Sequence, residues 1–379
     1  MRIFQVLHST TNAAIQENQT WYRNLYEPLL DLGHDVFLFS IEEGRIAMRK
    51  KNNRKILNFS QGLLDIFREE HDRKPFNLFF SYLIDGMIDP TVIDDIRKIG
   101  VPTCNFSCNN AHQFYLVEEL SKHFDYNLHS EKDAKQKFLD VGANPLWFPM
   151  ASNPKFFKPI NITRDINVSF VGSSYALRAR YISHLLENDI NVQVYGPGWM
   201  IGYPHKLGSV FHRYLLLVNS LIANQIGNQA YYSGLLFDYD YRRNLFARFP
   251  HNMNLPISDE ELITLYSRSQ VSLGFLEVYD HHDPSKQIVK HLHLREFEAP
   301  MSGALYMTGY SEELAEMYEI NKEIVTYRNQ YELLDKVKYY LNHLSEAEKI
   351  RVAGHNRAVR SHTYHHRYKT LFNQIGLKK

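Results

Sequence analysis

In the stretch Leu294-Arg-Glu-Phe-Glu-Ala-Pro-Met-Ser-Gly-Ala-Leu-Tyr-Met-Thr308, an arginine, a glutamate and a chain-breaking glycine fall within one short unit. On a helix Arg295 and Glu298 share a face, and Gly303 can take the left-handed conformation that ends the helix before the apolar run Ala304–Thr308. A guanidinium offers paired donors to a phosphate, and a carboxylate offers paired acceptors to a vicinal diol. Side by side they suit a nucleotide-sugar. An exposed i, i+3 ion pair is the simpler alternative for the same two residues.

A second constellation is Val171-Gly-Ser-Ser-Tyr-Ala-Leu-Arg-Ala-Arg180. A strand that ends in Gly-Ser-Ser before a helix presents unpaired backbone N–H groups and the positive end of the helix dipole, an anion site. Gly172 lets a phosphate approach the backbone, Ser173 and Ser174 add hydroxyl donors, and Arg178 or Arg180 can close on the charge. Such turns also serve as plain caps. The Gly-x-Gly of Tyr195-Gly-Pro-Gly-Trp199 is not a dinucleotide fingerprint, because it lacks the third glycine in register and holds Pro197 in the turn.

Metal-type ligands occur in Asp280-His-His-Asp283, His291-x-His293 and Asp238-x-Asp240. With 19 histidines in the chain some adjacency arises by chance, and none of these spacings is a recognised zinc pattern. Asp238 and Asp240 precede Arg242-Arg243, where ion pairing is the simpler role. No metal is expected, and His281, His282 and His291 are instead candidate neutral donors to phosphate or sugar beside Arg295.

These groups need a scaffold, and the chain alternates strand and helix patterns twice over. In the first half Ile3–Leu7, Val36–Phe39, Leu78–Tyr82, Thr103–Phe106 and Tyr126–Leu128 are strand-length apolar runs. Helical patterns at Trp21–Leu32, Gly62–Glu70, Pro90–Lys98 and Glu131–Leu139 separate them. The second half repeats the scheme with Asn167–Val171, Val192–Tyr195, Val271–Leu276, Ala304–Met307 and Ile324–Tyr327. Short apolar strands between helices imply parallel sheets covered on both faces, with functional groups at the carboxyl ends of the strands. The prolines of residues 144–165 favour an extended connector. Ser258-x-x-Glu261 and Ser345-x-x-Glu348 both have the form of a capping box.

Composition bounds the rest. A chain of 379 residues is long enough for two domains with their own cores. With 43 basic against 42 acidic residues, the net charge of +1 gives no electrostatic reason to expect nucleic acid as a partner. The two cysteines, Cys104 and Cys108, exclude a disulfide framework. The N-terminus lacks the apolar run of a signal peptide and no stretch approaches the length of a membrane span, so a soluble, cytoplasmic protein is expected.

The segments Leu294-Arg-Glu-Phe-Glu-Ala-Pro-Met-Ser-Gly-Ala-Leu, Glu323-Ile-Val-Thr-Tyr327, Ala353-Gly354 and His362-Thr-x-x-x-Arg367 stand in an order that closely resembles the C-terminal domain of group 1 glycosyltransferases of the CgeB, or spore-maturation, type. Residues 168–185, 192–199 and 257–275 are similar to that family's first strand with its glycine loop, its second strand and its Y-S-x-S segment. The likeness covers most of 167–369 and, more loosely, 1–159.

The resemblance implies an α/β protein of GT-B architecture, two doubly wound Rossmann-like domains facing a cleft. Residues 1–159 would bind the acceptor, 160–360 the nucleotide-sugar donor, and 361–379 would pack as a helix back on the first domain. It implies a hexosyltransferase with no resident cofactor, taking a UDP-sugar in preference to a GDP-sugar. Its acceptor would be a glycan, a lipid-linked molecule or a protein. Glu298 would bind the ribose; Gly172, Ser173, Ser174, Arg178, Lys290, Arg295 and Gly303 would complete the donor site. The wider group commonly has a second glutamate where this chain has Lys290, and an acidic residue where it has Asn109-Asn110, which favours transfer with retention. His8, Ser9, Asn109 and Asn110 are acceptor-side candidates, and Asp85 and His112 are the groups there able to move a proton near neutral pH. A nucleotide-sugar epimerase or hydrolase of the same fold, or a non-catalytic nucleotide-sugar-binding protein, is the alternative. The apolar segment within 200–240 is expected to be a buried helix, with an interfacial helix touching a membrane as the other reading.

Overall fold

The computed structural model describes residues 1–7, 19–41, 55–200, 229–279 and 288–377. The chain forms two compact units, Met1–Phe156 with Ser361–Lys379, and Phe157–Arg360.

The first unit is built on strands β1 (Arg2–Leu7), β2 (Asp35–Ser40), β3 (Leu78–Ser81), β4 (Thr103–Ser107), β5 (Tyr126–His129) and β6 (Pro145–Trp147). They lie in the order β2-β1-β3-β4-β5-β6, all parallel. Helices cover such a sheet on both faces, which is why β3 and β4 read as continuous runs of buried residues rather than alternating ones. Phe4 stacks on Phe37 and Phe79 and meets Phe67 and Phe76 edge-on, so the core of this unit is largely aromatic. The helix Tyr364–Gln374 belongs to this unit and buries Tyr364, Tyr368, Leu371 and Phe372. The Tyr368 hydroxyl donates to the Leu25 carbonyl at 2.7 Å.

The second unit contains β7 (Ile166–Val171), β8 (Val192–Tyr195), β9 (Met253–Asn254), β10 (Ser269–Leu273), β11 (Glu277–Tyr279), β12 (Ile288–Lys290), β13 (Tyr306–Gly309) and β14 (Val325–Tyr327). The main sheet runs β14-β13-β10-β7-β8-β9, parallel throughout, and β11 with β12 makes a separate antiparallel hairpin. From β7 the chain steps outward through β8 to β9, then returns to β10 and steps the other way. The switch therefore falls between β7 and β10, and the crevice outside their carboxyl ends is where an open sheet of this kind takes a ligand.

Helix starts follow the sequence in one case and depart from it in another. Ser258 and Glu261 form the capping box: the Glu261 N–H donates to Ser258 Oγ at 3.2 Å and the Ser258 N–H to Glu261 Oε2 at 2.8 Å. Ser345 and Glu348 do not. Ser345 lies inside the helix Leu344–Ser361, because the preceding helix ends at Asn342 and the His343 carbonyl takes the N–H groups of Glu346 and Ala347. Gly354 of that helix has a packing role, since a Cβ there would lie 2.2 Å from the Glu323 carbonyl oxygen. β6, β9 and the β11–β12 hairpin were not foreseen; at two or three residues each, they are too short to carry a period.

Candidate functional site

The helix Arg295–Met301 opens at Leu294 without a side-chain cap. Its first turn is held by Glu296, which is fully buried and accepts from the His293 N–H at 2.6 Å, the Tyr306 hydroxyl at 3.0 Å and the Thr308 hydroxyl at 3.3 Å. The sequence reading passed over Glu296. Yet by tying the turn to β13 it sets the face that Arg295 and Glu298 present, and burial raises its pKa.

Arg295 and Glu298 do not form the simple ion pair. The Arg295 guanidinium makes no hydrogen bond or ion pair with the described residues, and its Nε is buried without a partner. Glu298 is 6 % exposed, and its carboxylate likewise accepts no hydrogen bond from the described residues. Burial pushes the Glu298 pKa up to about 8, against the pull of Arg295 and with the help of Asp259 and Glu296. For Arg295, burial opposes the charge, but Tyr266 and Glu298 outweigh it and the pKa is raised. A half-buried guanidinium and a buried carboxyl group, neither satisfied by the described residues, are placed to donate to and accept from a ligand.

The glycine loop after β7 is less open than its sequence suggests. The Gly172 N–H donates to the Tyr195 carbonyl at 2.8 Å, and the Ser174 N–H to the Pro197 carbonyl at 3.1 Å. Trp199 Nε1 donates to the Gly172 carbonyl at 2.6 Å. Thus Tyr195–Trp199 packs onto Gly172–Ser174. Gly196, at φ +143°, is required there because a Cβ would stand 2.4 Å from the Gly172 oxygen. Arg242 donates to the carbonyl and hydroxyl of Ser174, each at 2.8 Å. The helix begins only at Arg178, with Leu177 before it, so Ser173 and Ser174 do not stand at its N-terminus. Arg178 is 3 % exposed and committed to protein: it donates to the Ser173 and Phe275 carbonyls and to the Tyr175 hydroxyl, and its guanidinium lies 3.7 Å from the centre of the Tyr175 ring. Burial lowers its pKa. Ser174 and Arg178 of the expected donor cradle are thus engaged by protein, and Arg178 shapes the loop.

Two further donor-side residues are placed differently from expectation. Gly303 takes φ +75° and ends the helix as foreseen, but it stands at the end opposite Arg295, with Pro159 ring atoms 3.0 and 3.1 Å from where its Cβ would be. It is a cap and not a donor contact. Lys290, on β12, is exposed and donates to the Tyr310 carbonyl at 2.8 Å.

In the first unit Asp85 is a cap. Its oxygens accept from the backbone N–H of Leu120 at 2.8 Å and of Glu119 at 3.1 Å, holding the turn Leu120–His123. Both of its carboxylate oxygens are thus engaged by the backbone. His112 is buried in the short helix Asn110–Gln113. Asn109, with φ 63°, and Asn110 both donate backbone N–H groups to the buried Glu131, at 2.8 and 3.0 Å. Glu131 escaped the sequence reading. Burial raises its pKa, and Ser130 also donates to it at 2.7 Å. His8, Ser9, the cluster Asp280–Asp283 and residues 201–228 lie outside the described residues. Among the described residues no group of three or more metal-type ligands converges, and no helix is long and apolar enough to cross a membrane.

Comparison with known proteins places this geometry. The fold is similar to a glycosyltransferase from Rickettsia africae (TM-score 0.60, 13 % identity, 99 % of this chain and 98 % of that one). It is also similar to the sucrose-phosphate synthase of Thermosynechococcus elongatus (TM-score 0.58, 11 % identity, 99 % of each chain). A third is Anabaena HepE, solved in complex with UDP and glucose (TM-score 0.57, 9 % identity, 99 % of each chain). At these identities the likeness establishes the fold, which is GT-B. No curated protein matches the sequence. Residues 178–373, just over half the chain and including Arg295 and Glu298, match the glycosyl transferase-like family, and the chain belongs to it.

Proposed function

We propose that this protein transfers a hexose from a UDP-sugar to a hydroxyl of a glycan, lipid-linked or protein acceptor, without a metal ion and with retention of configuration, in the cytoplasm. The observation that carries the reading is the pair Arg295 and Glu298, neither of which has a hydrogen-bond partner among the described residues, with Glu298 and the Arg295 Nε buried. Arg295 takes the diphosphate and Glu298 the ribose hydroxyls. As the bond from the anomeric carbon to the phosphate oxygen breaks, negative charge grows on the leaving UDP. A guanidinium held on a fixed helical turn stabilises that charge with little reorganisation. The acceptor oxygen bonds to the anomeric carbon on the same face, and its proton passes to the departing phosphate oxygen. Retention is favoured because Asp85 and Glu131, described carboxylates just beyond the strand ends of the first unit, are both engaged by backbone N–H groups.

The test is release of UDP or GDP from a panel of nucleotide-sugars, with a chelator present, with and without glycan acceptors. Acceptor-dependent UDP release that persists in the chelator and is lost in Glu298→Ala supports the reading. Consumption without acceptor assigns a hydrolase or epimerase, and tight binding without consumption assigns a binding protein.

A further inference from the structure

Glu277 opens β11, just beyond the carboxyl end of β10. It is 5 % exposed, its Oε2 is wholly buried, and neither oxygen accepts a hydrogen bond from the described residues. Its register partner across the hairpin is Lys290, which places the two side chains on one face. No ion pair joins them, because the Lys290 ammonium is turned to the Tyr310 carbonyl. The adjacent glycine, Gly309, closes β13; a Cβ there would lie 3.4 and 3.7 Å from the two Glu277 oxygens. The nearby Tyr327 hydroxyl is already given to the Gly274 carbonyl at 2.6 Å. A carboxylate taken out of water and left without donors is unfavourable in a protein that binds nothing there, and a ligand bearing donors removes the cost.

Glu277 also belongs to the same patch as the donor groups. Phe275, two residues before it, gives its carbonyl to Arg178. Tyr306 and Thr308, on the strand that Gly309 ends, hold Glu296 and through it the turn bearing Arg295. Burial raises the Tyr327 pKa, and Glu277 and Glu296 raise it further against the pull of Arg178.

We propose that Glu277 is a specificity-determining residue that accepts hydrogen bonds from hydroxyl or amide N–H groups of the donor's sugar ring. This deepens the reading above and rests on it. The nucleotide half of the donor is held by Arg295 and Glu298 and the glycosyl half by Glu277, beside the glycine Gly309.

The experiment measures by calorimetry the affinities of UDP and of a panel of UDP-sugars for the wild type, Glu277→Gln and Gly309→Ala. Glu277→Gln keeps the shape and removes an unpartnered buried charge. UDP affinity and melting temperature should stay within about twofold and a few degrees of wild type. Affinity for the preferred UDP-sugar should fall about tenfold, and discrimination among sugars should narrow. Gly309→Ala, whose methyl would lie in van der Waals contact with the carboxylate and cover it from a ligand, should give the same selective loss. Unchanged ratios of UDP-sugar to UDP affinity in both variants overturn the assignment while leaving the donor site standing. A wild-type protein that binds no nucleotide-sugar overturns both.

Discussion

At the scale of single residues, the chemistry of the second unit comes down to which charges the protein leaves unsatisfied. Glu298 has its pKa raised from 4.5 to about 8. A carboxyl raised on folding contributes stability that is full below its unfolded value and is lost as pH rises through the folded one. Wild-type melting temperature should therefore fall relative to Glu298→Gln between about pH 5 and 9. Ribose hydroxyls need the ionised acceptor, so UDP-sugar affinity should rise up to about tenfold per pH unit toward pH 8 and then level. Glu298→Gln should bind weakly with no such slope, and calorimetry across pH decides it. Asp85→Ala, by contrast, removes a cap and should cost about 1 kcal/mol of stability with donor affinity unchanged. Arg295 and Glu298 were legible because their spacing puts them on one helical face. Glu296 was not, since its partners Tyr306 and Thr308 come together with it only when β13 returns beside the helix. The backbone contacts of Asp85 were hidden for a similar reason: the N–H groups it caps lie 34 and 35 residues further along the chain.

At the scale of elements, the donor loop is a composite. Gly172–Ser174 is gripped by Tyr195–Trp199 on one side and by Arg242 of the helix Gln229–Arg248 on the other. Gly196→Ala should force the two loops apart, with strain of at least about 1–3 kcal/mol and weaker donor binding, read by chemical unfolding and calorimetry. Arg242→Met, which removes both bonds to Ser174, should raise the donor KM more than it lowers kcat. The sequence argues against a dinucleotide role for Tyr195-Gly-Pro-Gly-Trp199. What it could not show is that these glycines serve another loop, because the close approach of Gly196 to Gly172 joins segments on neighbouring strands. The longer strands were readable as apolar runs. The registers were not, since buried parallel strands carry no alternation from which to infer them.

At the scale of the whole molecule, the first unit is discontinuous in sequence, and Tyr364, Tyr368, Leu371 and Phe372 complete its core from the far side of the second. Tyr368 has no exposed surface, and Tyr368→Ala should cost about 3–5 kcal/mol of that unit's stability, seen as a lowered unfolding transition that spares donor binding by the second unit. The same discontinuity imposes an order on biosynthesis. The second unit, 157–360, is contiguous, so it can fold as soon as its own residues have emerged. The first must wait for Ser361 onward, which at about 5–20 residues per second means roughly ten to forty seconds with its sheet made and its closing helix not yet translated. Through that interval the seats of Tyr368 and Phe372 are open apolar surface. The nascent chain should be a client of the cell's holding chaperones at the stage when the second unit is already native.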